Sequence, residues 1–109
     1  MLSSVPATSL HLMVVSFRDS ATEDIYDDRL SKAGRRRLPI DLWSIAQRKL
    51  SQMNAVERLP DLAVPPGNRL EELRGDRRGE YSIRINERYR ICFVWTPEGP
   101  SEVEIVDYH

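Results

Sequence analysis

Two different periods of hydrophobic residues organise this chain. From Leu38 to Val56 the stretch LPIDLWSIAQRKLSQMNAV places Leu42, Ile45, Ala46, Lys49, Leu50 and Met53 near i, i+3, i+4, i+7 spacing. One apolar stripe at that spacing predicts an amphipathic helix, with Pro39 tolerated just before its start. Farther on the period drops to two. Tyr81, Ile83 and Ile85 alternate with Ser82, Arg84 and Asn86, and after a turn near Asn86-Glu87, Tyr89, Ile91, Phe93 and Trp95 alternate with Arg90, Cys92 and Val94. That pattern predicts a β-hairpin with one buried face. TPEGP supplies the next turn and SEVEIVDYH a third strand, with Val103 and Ile105 on one side and Glu104, Val106 and Tyr108 on the other.

The remaining segments fill in around these. MVVSF, from Met13, reads as a short strand, and RDSATEDIYDD as a helix opened by Asp19 or Ser20, its acids near the N-terminus where the helix dipole favours them. The basic segment after it reads as a connection. PDLAVPPGNRL reads as an ordered loop, because Pro65 and Pro66 forbid an α-helix there. Residues 1–12, small and polar, are expected to be an extension, leaving 13–109 as a single domain. A helix stripe and a half-apolar sheet each need cover, so the expected fold is α+β: two N-terminal helices packed on a small, mainly antiparallel β-sheet.

Composition narrows the function classes. The 109 residues are 40 % hydrophobic and 30 % charged, as for one globular domain. Cys92 is the single cysteine and sits inside an apolar run, which predicts a small core residue rather than a nucleophile. No apolar run approaches the roughly 18 residues of a membrane helix, so a soluble cytoplasmic protein without membrane contact is expected. Glycine-rich phosphate loops, Cys/His clusters and nucleophile elbows are missing, so neither metal nor other cofactor is expected.

The net charge of −1 conceals an uneven distribution. Residues 29–49 hold seven Lys/Arg against Asp41 alone, whereas 1–28 hold Arg18 against five acids and 96–109 hold four acids and no base. Such a chain can carry a basic face, and phosphate binding depends on the face rather than on the total. The two histidines are His11, in the expected extension, and His109, the last residue. Chain ends usually fray, but pairing of the final strand would hold its last residues in place.

The combination PPGNRLEELRGDRRGEYSIRINERYRICFVW followed by terminal VEIVDYH resembles the HigB toxins of the RelE/ParE superfamily, from about Met13 to His109. The residues that carry the likeness are Leu70, Leu73, Arg74, Gly75, Asp76 and Arg77, then Tyr89, Arg90 and Ile91, then Asp107, Tyr108 and His109. The resemblance implies a RelE-like α+β toxin that cuts translated mRNA in the ribosomal A site without a metal, activating a ribose 2′-hydroxyl against the adjacent phosphate. It implies catalytic roles for Asp107, Tyr108, His109 and Arg90, and for Arg74 where relatives often have lysine. Glu71 stands where relatives often carry histidine; it offers a base, but its charge would repel a phosphate. Arg69, Arg77, Arg78 and Arg84 are the expected RNA contacts. The implied partners are the ribosome, mRNA and a helix-turn-helix, HigA-like antitoxin, with DNA reached only through that antitoxin.

The chemistry of the residues agrees in outline. In-line attack by a 2′-hydroxyl needs a proton acceptor, a proton donor for the leaving oxygen, and positive charge beside the phosphate. An imidazole can move protons near neutrality, with Asp107 and the terminal carboxylate available to support its charged form. Guanidinium groups suit the phosphate, and Tyr108 can stack on a base. On the residues alone each position has a plainer alternative: Arg90 as cover for a polar sheet face, Arg74 as a turn residue, Glu71 as a solvated carboxylate, Tyr108 as a rim aromatic. Two functional alternatives to the nuclease also stand: a ParE-like toxin that inhibits DNA gyrase by binding alone, and a silent module that only forms an antitoxin complex.

Overall fold

The computed structural model describes residues 13–108; residues 1–12, including the expected extension and His11, and His109 lie outside the described residues. Three helices precede a four-stranded sheet: α1 (Ser20–Tyr26), α2 (Lys32–Arg37), α3 (Trp43–Met53), β1 (Glu71–Glu72), β2 (Glu80–Arg84), β3 (Tyr89–Thr96) and β4 (Gly99–Asp107). The strands lie in sequence order and every neighbouring pair is antiparallel. This is the expected α+β class, with one helix more than the periodicity announced.

α1 begins where an N-cap was expected. Asp19 is extended, and its side chain accepts the Thr22 N–H at 2.8 Å. Burial pushes the Asp19 carboxyl up, but the Thr22 N–H and the Arg37 guanidinium, 2.7 Å away, outweigh it and hold the group below the usual carboxylate range.

The basic stretch expected as a connection is instead α2. No apolar stripe marks KAGRRR; the helix is held from its ends. Ser31 caps Gly34 N–H at 2.9 Å, and Arg37 donates both to Asp19 and, at 2.8 Å, to the carbonyl of Ile105 in β4. Gly34 allows α2 to pack closely on Trp43: a Cβ there would lie 3.0 Å from the Trp43 ring, tighter than an ordinary contact. Arginines in the last turn suit the negative end of the helix dipole.

α3 follows a 3-10 turn at Ile40–Leu42 and buries Trp43, Ala46, Leu50 and Met53. Trp43 thus heads the stripe, and its indole N–H donates to the Leu38 carbonyl at 2.9 Å; Leu42, Ile45 and Lys49 are only half-buried. These side chains pack with Ile25, Leu38 and Leu62 against Ile83, Ile85, Ile91, Phe93, Val103 and Ile105 from one sheet face. Each such burial is worth about 1.5–3 kcal/mol relative to exposure.

One further expectation is corrected and one is refined. Met13–Phe17 is not a strand of the sheet; it runs beside β4 with a single parallel bridge, Phe17 to Val103, and Val15 N–H donates to the Pro100 carbonyl at 2.7 Å. At the β3–β4 turn Gly99 has φ 125° and lies so close to the Met13 carbonyl that any Cβ would collide with it. The proline-rich loop contains no α-helix, as expected, but it does contain 3-10 turns at Leu59–Ala63 and Pro66–Asn68. Buried Asn68 orders it, donating to the carbonyls of Leu62 (3.0 Å) and Val64 (3.3 Å) and to Gln52 Oε1 (3.1 Å), and accepting from Lys49 Nζ.

Candidate active site

The sheet's second face carries the polar residues, and its register decides which meet. Glu71 lies opposite Ser82, Arg84 opposite Arg90, and Arg90 opposite Val106. Residues directly opposite in an antiparallel pair share a face, so Glu71, Ser82, Arg84 and Arg90 are brought together. Tyr108, two residues beyond Val106, joins them: Arg90 Cζ lies 5.8 Å from its ring centroid. The Tyr108 N–H donates to the Arg88 carbonyl at 2.6 Å, so pairing holds the chain through residue 108.

Arg90 is the centre of the group. It is 7 % exposed, its Nε donates to Ser82 Oγ at 2.7 Å, and its Nη2 donates to the Arg69 carbonyl at 2.6 Å. Glu71 Oε1 lies 3.8 Å from the same Nη2. Of five guanidinium N–H donors, two are thus fixed in strong bonds that set the plane of the fork. Arg69 reaches its place in a left-handed conformation, φ 47° and ψ 56°, which for a non-glycine residue stores about 1–3 kcal/mol and is held only by its surroundings.

The other expected residues divide. The guanidinium groups of Arg69, Arg74, Arg78 and Arg84 have no acid within ion-pair distance among the described residues. Arg69 and Arg84 adjoin Arg90; Arg74 and Arg78 stand exposed around the 3-10 turn Gly75–Arg77, and Arg74 makes no bond to the Arg90 group. Arg77 is engaged instead, bridging Glu80 and Glu104 at 3.0 Å each. Burial alone would lower its pKa, but the two carboxylates raise it. Arg18 extends this lattice to Glu80, Glu102 and Glu104. Asp107 points to the side of β4 opposite Tyr108, because successive strand residues alternate faces, and makes a forked pair with Arg88, at 3.0 and 2.8 Å.

Cys92 sits on the polar face beside this lattice but is fully buried, and burial pushes its thiol up to about 11. It stays protonated at neutral pH, in keeping with a packing role. Ser82 is the residue that sequence reasoning missed. Its alternation with Tyr81 and Ile83 placed it on the polar face, but the register that puts its hydroxyl under Arg90 was not legible.

Residues 15–109 match the family of RelE-like toxins of the type II toxin–antitoxin system HigB. Toxin HigB-1 of Vibrio cholerae serotype O1 is 37 % identical over 83 residues, covering 76 % of this chain and 84 % of that protein. An uncharacterized protein of Haemophilus influenzae is 39 % identical over 70 residues, 64 % of each chain. The chain belongs to the HigB-like toxins. Membership of a type II system implies an antitoxin partner for this HigB-like toxin. No helix among the described residues is long and apolar enough to cross a membrane.

In this toxin Ser82→Ala is expected to lower stability by about 1–3 kcal/mol, because Arg90 Nε loses its buried acceptor. The denaturant midpoint measures that loss. Ser82→Thr, which keeps a hydroxyl, is expected to recover most of it.

Proposed function

We propose that this HigB-like toxin is a ribosome-dependent endoribonuclease that cuts translated mRNA, with residues 13–109 acting as one toxin domain in the cytoplasm. The observation that carries the reading is the Arg90 fork, fixed by Ser82 and the Arg69 carbonyl, lying over the Tyr108 ring and adjoined by Arg69 and Arg84, whose guanidinium groups have no ion-pair partner among the described residues. A planar cation with remaining donors, beside further guanidinium groups and one aromatic ring, suits a phosphodiester with an unstacked base.

In the proposed reaction a base takes the proton of the ribose 2′-hydroxyl, O2′ bonds to the adjacent phosphorus, and the P–O5′ bond breaks. The departing O5′ takes a proton, leaving a 2′,3′-cyclic phosphate and a 5′-hydroxyl end. Because the substrate supplies its own nucleophile, no metal is needed to generate one. Arg90 stabilises the charge that develops on the phosphate, and Tyr108 stacks on the neighbouring base. His109 acts as the proton carrier, and Arg74, Arg78 and Arg84 help hold the RNA. Arg77, tied into its ion-pair lattice, contributes by fixing the face rather than by meeting phosphate, and Asp107 acts by holding the strand end through Arg88.

Mapping RNA 5′ ends after induction tests this reading. New ends within translated codons support it; intact messages with DNA-damage signalling would point instead to gyrase.

The partner is proposed to be a helix-turn-helix, HigA-like antitoxin, through which alone the toxin meets DNA, and the basic α2 to help hold it. Arg35 and Arg36 are exposed and form no ion pair among the described residues, whereas Arg37 ties α1, α2 and β4 together. Arg35→Glu/Arg36→Glu is therefore expected to weaken antitoxin capture in a pull-down without unfolding the toxin. Undiminished capture removes α2 from the interface.

A further inference from the structure

A hollow of about 300 Å³ opens between α3 and the Pro65–Asn68 segment, on the other side of the β2 end from Arg90. Ile45, Pro65 and Ile85 form its apolar walls. The amides that line it are already satisfied: Asn68 bonds to Leu62, Val64, Gln52 and Lys49, and Gln52 Nε2 donates to the Val64 carbonyl at 2.6 Å. The charged groups at the hollow are Arg48 and Lys49, the latter bonded to Asn68. No acid lies within ion-pair distance of either among the described residues. Burial and the neighbouring Arg48 both disfavour the charged form of Lys49. Arg48 and Lys49 thus place two neighbouring cations at one hollow with apolar walls, a setting that an anion suits.

The hollow and the site already described meet at one segment of the loop. Lys49 contacts Asn68, and the next residue, Arg69, offers its carbonyl to Arg90. Ile85 lines the hollow while Arg84, its neighbour, lies opposite Arg90. Gly67, next to Asn68, faces open space: a Cβ there would meet nothing within 4 Å.

We propose that this hollow is a second RNA subsite, in which Arg48 and Lys49 hold a backbone phosphate of the messenger flanking the nucleotide at Arg90, and Ile45, Pro65 and Ile85 take its base. The volume is at the small end of the roughly 300–1,000 Å³ of ligand sites, which suits a single nucleotide rather than a segment of folded protein. The proposal rests on the nuclease reading for its substrate, and its test is separable from that reading.

Arg48 is exposed and has no side-chain hydrogen bond or ion pair among the described residues, so Arg48→Glu in the full toxin is the direct variant. The probe is a short, fully 2′-O-methylated single-stranded RNA, which cannot be cut, read by fluorescence anisotropy across a salt series. Affinity is expected to fall several-fold, and the salt slope to shrink by about 0.7 for one lost phosphate contact. Arg48→Gln is expected to give a smaller fall, and Arg35→Glu/Arg36→Glu, with the same kind of charge change elsewhere, almost none. Unchanged RNA binding in Arg48→Glu overturns the subsite, as does an equal fall in the α2 variant. Loss of ribosome or antitoxin binding with RNA affinity intact also overturns it, in favour of another occupant. If the wild type cuts no messenger while Arg48→Glu still loses RNA affinity, the nuclease reading fails and the subsite stands.

Discussion

Arg90→Lys is expected to reduce cleavage of translated mRNA by about 10²–10³-fold, the usual loss when one preorganised charge-stabilising group is removed. The substitution keeps the positive charge, so long-range attraction of RNA is unchanged. What it removes is geometry. The guanidinium is anchored by Nε on Ser82 and Nη2 on the Arg69 carbonyl, and its Cζ lies over the Tyr108 ring, 5.8 Å from the centroid. An ammonium on a flexible stem cannot hold both anchors and still present donors to a phosphate. Loss of one buried bond costs about 1–3 kcal/mol, tolerable for a domain of about 5–15 kcal/mol stability, so the variant is expected to fold. Timed 5′-end mapping in a translating extract measures the rate, and thermal unfolding by circular dichroism checks the fold. Wild-type rates in Arg90→Lys would reassign Arg90 to covering the sheet.

The placement of Arg90 also marks how far the sequence could be read. The alternation through Tyr81–Trp95 and Val103–Tyr108 identified three strands and the correct faces of each, because a period of two survives whenever one face is buried. The stripe on α3 was legible for the same reason. α2 was not, since its stability comes from the Ser31 cap and from Arg37 reaching Asp19 and Ile105, contacts that leave no periodic trace. β1 is two residues long and exists only through its register with β2. In the site, Arg90 and Tyr108 could be assigned to the polar face, but Ser82 and the left-handed Arg69 became functional candidates only once the register and the loop path were known. Asp107 shows the converse: strand alternation already implied that it would face away from Tyr108, and its forked pair with Arg88 places it there.

His109→Ala is expected to lower mRNA cutting by about 10²–10⁴-fold, the range for loss of a positioned proton-transfer group. His109 itself lies outside the described residues, but the backbone leading to it is fixed by the Tyr108 N–H on the Arg88 carbonyl and by the Tyr108 ring near Arg90. The rival proton carrier is Glu71, whose carboxylate is half exposed and lies 3.8 Å from Arg90 Nη2. A carboxylate in that position competes with the phosphate for the guanidinium, so its removal weakens repulsion even as it removes a potential base. Glu71→Gln is accordingly expected to change the rate far less than His109→Ala. His109→Gln, which can hydrogen-bond but cannot carry a proton, should behave like the alanine variant. Messages cut at wild-type rates in His109→Ala but left whole in Glu71→Gln would move the proton transfer to Glu71, and with it the direction from which the 2′-hydroxyl must approach Arg90.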